Sequence, residues 1–240
     1  MIRIQADLHT HTAASTHAYS TILENCTSAS ELGLKAIAMT DHAMGMPDAP
    51  HLWHFLNMDV LPRKIRGVTV IRGIEADILE DGSLDIPDML YDKLEFVIAS
   101  LHSQAFRPAG IKEHTEAYLK VCENRSVDVI AHSTTAKFPY DMESCVKKFK
   151  EYEKLIEINE SSLKSGKSRK ETVVELLRIC RKYDAPIVVN SDAHFCELVG
   201  KTDLALQLIE ETGFPKRLVF NSDWDRIREH IINKHGDIGI

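Results

Sequence analysis

The chain has 240 residues, 44% of them hydrophobic and 27% charged, with a formal net charge of −7, which is the balance of a soluble globular protein. This length can bury a full core and suits one barrel or α/β domain, so residues 1–240 read as a single domain. The acidic balance excludes strong non-specific nucleic-acid binding, because phosphate contacts need a basic surface, and no apolar run is long enough to span a membrane.

The start, Met1-Ile2-Arg3-Ile4-Gln5, enters a strand-like segment without the apolar stretch of a signal peptide. Five widely spaced cysteines without a C-x-x-C pair read as reduced thiols, most of them in the core. Both features place the protein in the cytoplasm. The composition is compatible with a homo-oligomer.

In chain order, Ile/Val/Leu-rich runs alternate with helical patterns, the sign of successive βα units on a parallel sheet. Strands are predicted near 2–8, 35–40, 68–74, 95–101, 127–131, 154–159 and 186–191, with a weaker eighth at 217–221. Gly33 stops the first helix. Ser168-Arg169-Lys170-Glu171 reads as a capping box opening a helix to about Tyr183, and Ser222-Asp223-Trp224-Asp225 opens the last helix in a similar way. Asp81-Gly82 marks a small hairpin after the third strand. Seven or eight such units predict a barrel, with an open doubly wound sheet as the alternative.

Nearly every strand finishes in a histidine or carboxylate: Asp7, His9 and His11; Asp41 and His42; Glu75; His102; His132; Glu157 and Asn159; Asp192 and His194. In a parallel barrel these ends meet at one mouth. Nitrogen and carboxylate donors without thiolate suit Zn²⁺, Mn²⁺ or Fe²⁺. His9, His11, His17, His42, Glu75, His102, His132, Asp192 and His194 are nine candidate ligands, too many for one tetrahedral ion and enough for two or three. Multinuclear sites of this kind clamp phosphoryl oxygens and activate water, so phosphate-ester hydrolysis of a small substrate is the expected chemistry.

The remaining histidines, His51, His54, His114, His230 and His235, lie away from strand ends and read as structural. Asp7 and Asp41 read as acceptors that orient imidazoles. Trp53, Phe55, Leu56 and Met58 read as packing. Lys164, Lys167, Arg169 and Lys170 form a basic cluster, read as a solvated loop in preference to a phosphate grip.

Asp7-Leu8-His9-Thr10-His11-Thr12, Thr40-Asp41-His42 and Ser191-Asp192-Ala193-His194 resemble the signatures of the polymerase and histidinol phosphatase (PHP) family, over almost the whole chain. Ser15-Thr16-His17-Ala18-Tyr19-Ser20, Asp48-Ala49-Pro50-His51, Phe55-Leu56-Asn57-Met58 and Arg72-Gly73-Ile74-Glu75-Ala76 are most similar to its YcdX-like phosphatase branch. The resemblance implies an α/β fold, a distorted TIM-like (β/α)7 barrel, with three divalent ions, zinc by family habit, at the C-terminal ends of the strands. It further implies one ion on His9, His11, Glu75 and Asp192, a second on Glu75, His102 and His132, and a third on His17, His42 and His194. Glu75 would bridge, and Asp192 would also orient the nucleophile. Where relatives often place proline after the fifth-strand histidine, this chain has His132-Ser133-Thr134-Thr135.

A metal-dependent phosphatase acting on a small phosphomonoester is therefore expected. The rival tasks are histidinol-phosphate hydrolysis or 3′–5′ exonuclease editing on the same fold, an amidohydrolase-like C–N hydrolase, and a non-catalytic metal-binding module.

Overall fold

The computed structural model describes residues 2–240. Eight strands occur in chain order: β1 (Ala6–Thr10), β2 (Ala36–Met39), β3 (Lys64–Ile65), β4 (Val68–Asp77), β5 (Phe96–Ser100), β6 (Val129–Ile130), β7 (Leu155–Asn159) and β8 (Ile187–Asn190). Seven of them pair in parallel in the order β1-β2-β4-β5-β6-β7-β8, and the two-residue β3 lies antiparallel on β4. Eight α-helices complete the chain: α1 (Ile22–Glu31), α2 (Leu52–Leu56), α3 (Ile111–Val121), α4 (Met142–Glu151), α5 (Glu160–Lys164), α6 (Lys170–Lys182), α7 (Asp203–Glu211) and α8 (Trp224–His235). None among the described residues is long and apolar enough to cross a membrane.

Alternation along the strands divides the apolar residues into two layers. Ile37, Met39, Val70, Ile74, Val97 and Ile130 face the helices in the larger core. Ala6, Leu8, Ala36, Ala38, Ile71, Phe96, Ile98, Val129, Leu155 and Val188 fill the barrel, where Phe220, Ile227 and Ile231 plug one end. Gly73 is demanded by close strand approach, since a Cβ there would lie 2.8 Å from both the Phe96 carbonyl oxygen and Thr40 Cγ2.

The sheet nearly closes at its mouth, where the Asp192 amide donates to the His9 carbonyl (3.0 Å) and the His11 amide to the Ala193 carbonyl (2.9 Å). Lower down, the predicted strand at 217–221 is instead two 3₁₀ turns, Lys216–Leu218 and Phe220–Ser222, with one isolated β-bridge to the sheet among the described residues, Ile187–Val219. Asn221 explains the difference. Its side-chain amide donates to the Ala6 and Val189 carbonyls and accepts from the Val189 amide, so one side chain meets the backbone groups of β8 and β1 that an eighth strand would have paired.

Other expectations shift locally. The first strand begins at Ala6 rather than near residue 2, and β4 runs on to Asp77, so Glu75 lies inside a strand. The turn at Asp81-Gly82 closes only one antiparallel bridge, Ile78–Leu84. Gly33, at φ 75°, ends α1 as expected; the capping box of that helix, Thr21 with Glu24, was not read from the sequence. Asp223 caps α8 by accepting from the Asp225 and Arg226 amides. Ser168 does not cap α6: Arg169 occupies that position, and the Ser168 hydroxyl pairs with Thr134 Oγ1 at 2.8 Å. Phe55 and Met58 are buried as packing residues, whereas Trp53 is 72% exposed.

Candidate metal centre

Three backbone irregularities aim side chains into the mouth. Between β1 and β2 the register passes from Asp7–Ile37 to Thr10–Met39, three steps against two. The extra residue is a bulge that resets the alternation. Asp7 is left on the outer side, while His9 and His11, which follow the inward Leu8, reach the inside. His132 and Asp192 have positive φ, 27° and 56°, conformations that cost non-glycine residues about 1–3 kcal/mol and concentrate at functional sites. Each lies just past the end of its strand and turns its side chain toward the cavity.

Glu75 is the hub. Its Oε2 lies 2.9 Å from His42 Nδ1, 3.3 Å from His9 Nε2 and 3.4 Å from His11 Nε2, while Oε1 lies 2.8 Å from His132 Nε2 and 3.5 Å from His102 Nε2. Each oxygen thus faces a different set of imidazoles. Asp192 Oδ1 lies 3.2 Å from His11 Nε2, 3.5 Å from His9 Nε2 and 3.5 Å from His194 Nδ1. His11 stacks on His42 and on His194 at centroid separations of 4.4 and 4.2 Å, and His17 lies 4.5 Å from His194. All nine candidate ligands therefore meet around one cavity of about 600 Å³, with His9 and His11 fully buried beneath it.

Charge within this cluster is unbalanced. Burial disfavours an ionised Glu75, yet the His9, His42 and His102 imidazoles hold its carboxyl well below the usual range. Asp192 is also depressed, by His9, His11 and His194 against the cost of burial. Burial opposes charge on His9 as well, but Glu157, Asp192 and Glu75 raise it well above the ordinary histidine value. Burial, helped by His42 and His194, pushes His11 down to about 3, leaving a neutral imidazole.

The chemistry of these donors fits divalent cations. His9 Nε2, both ring nitrogens of His11 and His42 Nδ1 are buried without a hydrogen bond, which is costly unless something else meets them. Three sets of donor atoms lie within 4.8 Å of one another: His9, His11 and Asp192; His42, Glu75 and His102; His11, His42 and His194. The first follows the grouping implied by the family resemblance. In the others His42 gathers with Glu75 and His102, and His11 takes the place expected of His17, whose side chain is 47% exposed and paired with Asp48.

The partners that fix the imidazoles are not the ones expected. Asp7 touches none of them; it accepts from the Ser191 hydroxyl and from the Gly200 amide at 2.7 Å, bracing the loop after β8. Asp41 accepts from the Thr12 amide, the Thr12 and Ser15 hydroxyls and His54 Nε2, and the Ser15 hydroxyl in turn accepts from the His42 amide at 3.1 Å. Its one imidazole partner is thus His54, outside the candidate ligands, so Asp41 sets the loop that carries them. His9 Nδ1 is held by Glu157 at 2.8 Å, His102 Nδ1 by Asp77 at 2.7 Å, and His17 Nδ1 by Asp48.

Glu157 is fully buried and also accepts from the His132 amide and from the Asn159 and Asn190 side chains. Its signal in the sequence was a carboxylate in the inward phase of β7, two residues before Asn159. The other histidines are structural: His51 caps α2, His114 accepts from the Ala109 amide, His230 pairs with Asp128 and His235 with the Glu95 carbonyl.

A parallel barrel with carboxylates and imidazoles gathered at its C-terminal mouth is the architecture of the metal-dependent α/β-barrel hydrolases. The PHP domain profile matches residues 7–233. The chain is 43% identical over 234 residues to a probable phosphatase of Clostridium botulinum (strain Okra / Type B1), covering 97% of this chain and 96% of that one. It is 42% identical over 241 residues to a probable phosphatase of Thermoanaerobacter sp. (strain X514), covering 99% and 98%. A solved structure, the histidinol phosphate phosphatase of Lactococcus lactis subsp. lactis with zinc, L-histidinol and phosphate, shares the fold at TM-score 0.62 and 18% identity, covering 88% of this chain and 94% of that one. The chain belongs to the PHP family. It is a phosphatase, a hydrolase acting on phosphate esters.

Proposed function

We propose that this enzyme, working as one PHP domain over residues 1–240, hydrolyses a small phosphomonoester with three divalent ions, preferably zinc. Glu75 carries the reading: one carboxylate presents its two oxygens to two separate sets of imidazoles, the arrangement of a group shared between ions. His9, His11, Glu75 and Asp192 would hold the first ion, Glu75, His102 and His132 the second, and His17, His42 and His194 the third, with His11 and His42 close enough to serve two. When bound, the ions would supply Lewis acidity toward phosphoryl oxygens and toward water.

The chain's own groups supply position and charge. Asp192 is held so strongly as an anion that it is a poor base; it orients the attacking water by accepting a hydrogen bond while Asn159 Nδ2, 3.2 Å away, fixes its other oxygen. Glu157 and Asp77 hold the Nδ1 protons of His9 and His102, so each Nε2 faces the centre. Bound cations would compete with protons for imidazoles such as His9, whose charged form the neighbouring carboxylates favour. Four of the five free cysteines are buried, which suits work in the reducing cytoplasm.

The test is metal analysis of the purified protein together with turnover of a phosphomonoester, a phosphodiester and an amide, histidinol phosphate being one of the monoesters. Bound divalent metal with preferential monoester turnover is expected. Metal-free protein that gains no phosphatase activity from Zn²⁺, Mn²⁺ or Fe²⁺ would overturn the reading.

A further inference from the structure

Of the basic cluster singled out after β7, one member reaches the cavity. Lys164 is engaged by Glu160 at 3.1 Å, and Arg169 and Lys170, at the start of α6, do not line the cavity. Lys167 lines the cavity, as does Lys137 from the loop after β6, and among the described residues they are the only lysines or arginines that do so.

Their two loops are fastened together. The Ala136 amide donates to the Lys167 carbonyl at 2.9 Å, Thr135 bridges Ser168, and the buried hydroxyls of Thr134 and Ser168 pair at 2.8 Å. Tyr140 Oη donates to Ser133 Oγ at 3.0 Å and anchors the β6 side. Neither ammonium is in an ion pair among the described residues, and the carboxylates in the cavity are committed elsewhere: Asp48 to His17, and Glu75 and Asp192 to the imidazole cluster.

Two exposed lysines without a carboxylate partner among the described residues, on loops tied to each other at the cavity wall, give this side of the pocket a positive charge. The cavity is also larger than a phosphoryl group requires. Its size is that of a pocket for a whole small molecule, and Met46, Pro47, Leu101 and Phe138 give it an apolar wall.

We infer that Lys137 and Lys167 bind a second anionic group of the substrate, distal to the phosphate that reacts. This rests on the phosphomonoesterase reading and narrows it. The substrate class becomes a phosphomonoester with a short, partly apolar body that ends in another carboxylate or phosphate.

Binding to the metal-loaded full chain tests this directly. Calorimetry compares n-alkylphosphonates with ω-carboxy- and ω-phosphonoalkylphosphonates of graded length, none of them hydrolysable. At one length the distal anion is expected to tighten binding about tenfold, one well-placed charge contact, and the gain should shrink with salt. In the Lys137→Met/Lys167→Met double variant the ratio between the two series should fall toward one, and the Lys137→Arg/Lys167→Arg variant should restore it. The carboxylate and phosphonate arms identify the terminal group.

The inference is overturned if no length shows an advantage for the distal anion, if the advantage survives in the methionine variant, or if that variant weakens both series by the same factor. Hydrolysis of n-alkyl phosphates is followed in parallel. Its absence would remove the phosphatase reading while leaving a measured preference for a distal anion intact, so the two ideas fail separately.

Discussion

The two ends of the barrel treat buried polarity in opposite ways. At the mouth, imidazole nitrogens of His9, His11 and His42 are buried with no hydrogen bond, and two candidate ligands, His132 and Asp192, are held in positive-φ backbone. At the other end, α8 lays Ile227 and Ile231 into the barrel interior. The charges there are paired: Asp128 meets Lys234 at 2.6 Å and His230 at 2.8 Å and also accepts from the Val97 amide. The mouth is thus assembled for a ligand, and the floor supplies the stability that lets the mouth remain strained and incompletely satisfied. Substitutions at the two ends should therefore move different observables.

The largest effect is expected at Glu75. Glu75→Gln should lower phosphatase activity on the order of a thousandfold, the upper range for removing one preorganised charged group, and reduce metal content in parallel; unchanged turnover would remove Glu75 as the shared ligand. Next is Ile231→Ala on the floor, fully buried, which should destabilise the fold by about 2–5 kcal/mol in chemical denaturation while kcat per folded molecule stays level. A fall in kcat without loss of stability would dissolve the contrast between the ends.

Glu157→Gln should weaken metal affinity by roughly 10- to 100-fold, because the His9 ring loses the acceptor that orients it. A competition titration with a chelator reads this directly, and an unchanged affinity would show that His9 is positioned by other contacts. Lys234→Met should cost about 1–3 kcal/mol in the metal-free protein by depriving Asp128 of a charged partner, with metal content as in the wild type.

The smallest effect is a pH dependence at that same group. Burial alone would raise the Asp128 carboxyl, but Lys234 and His230 hold it below the ordinary value of 3.8. The native state thus favours the ionised form more than the unfolded chain does. The resulting stability is complete well above pH 3.8 and is lost as pH falls through the lower native value. The stability gap between wild type and Lys234→Met should therefore close in acid, and a gap that widens there would contradict this account of the pair.

Much of the site was legible because parallel strands obey simple rules. Apolar runs ending in His42, Glu75, His102 and Asp192 had to converge once the alternation of βα units pointed to a barrel. What escaped the sequence depends on contacts through space or on single backbone angles. Nothing local distinguishes Glu157 from any other inward carboxylate until His9, 148 positions away, arrives beside it. Asp77 and Asp48 were missed for the same reason, and Ser168 was misassigned because its hydroxyl found Thr134 instead of its own helix. The segment 217–221 has the composition of a strand, but the Asn221 side chain already occupies the gap it would have filled.

The bulge in β1 has a consequence for how this site could be lost or rebuilt. Asp7, His9 and His11 share one parity in the sequence, and only the additional residue in the ladder separates them into an outward brace and inward imidazoles. The identity of the site is thus partly a matter of counting. In an unbroken ladder of these same residues, Asp7, His9 and His11 would all fall on one face, so either the brace of the β8 loop or the two imidazoles would be lost without any side chain being replaced. Anyone transplanting Asp7 together with His9-x-His11 onto another barrel strand would have to carry the irregular spacing with it.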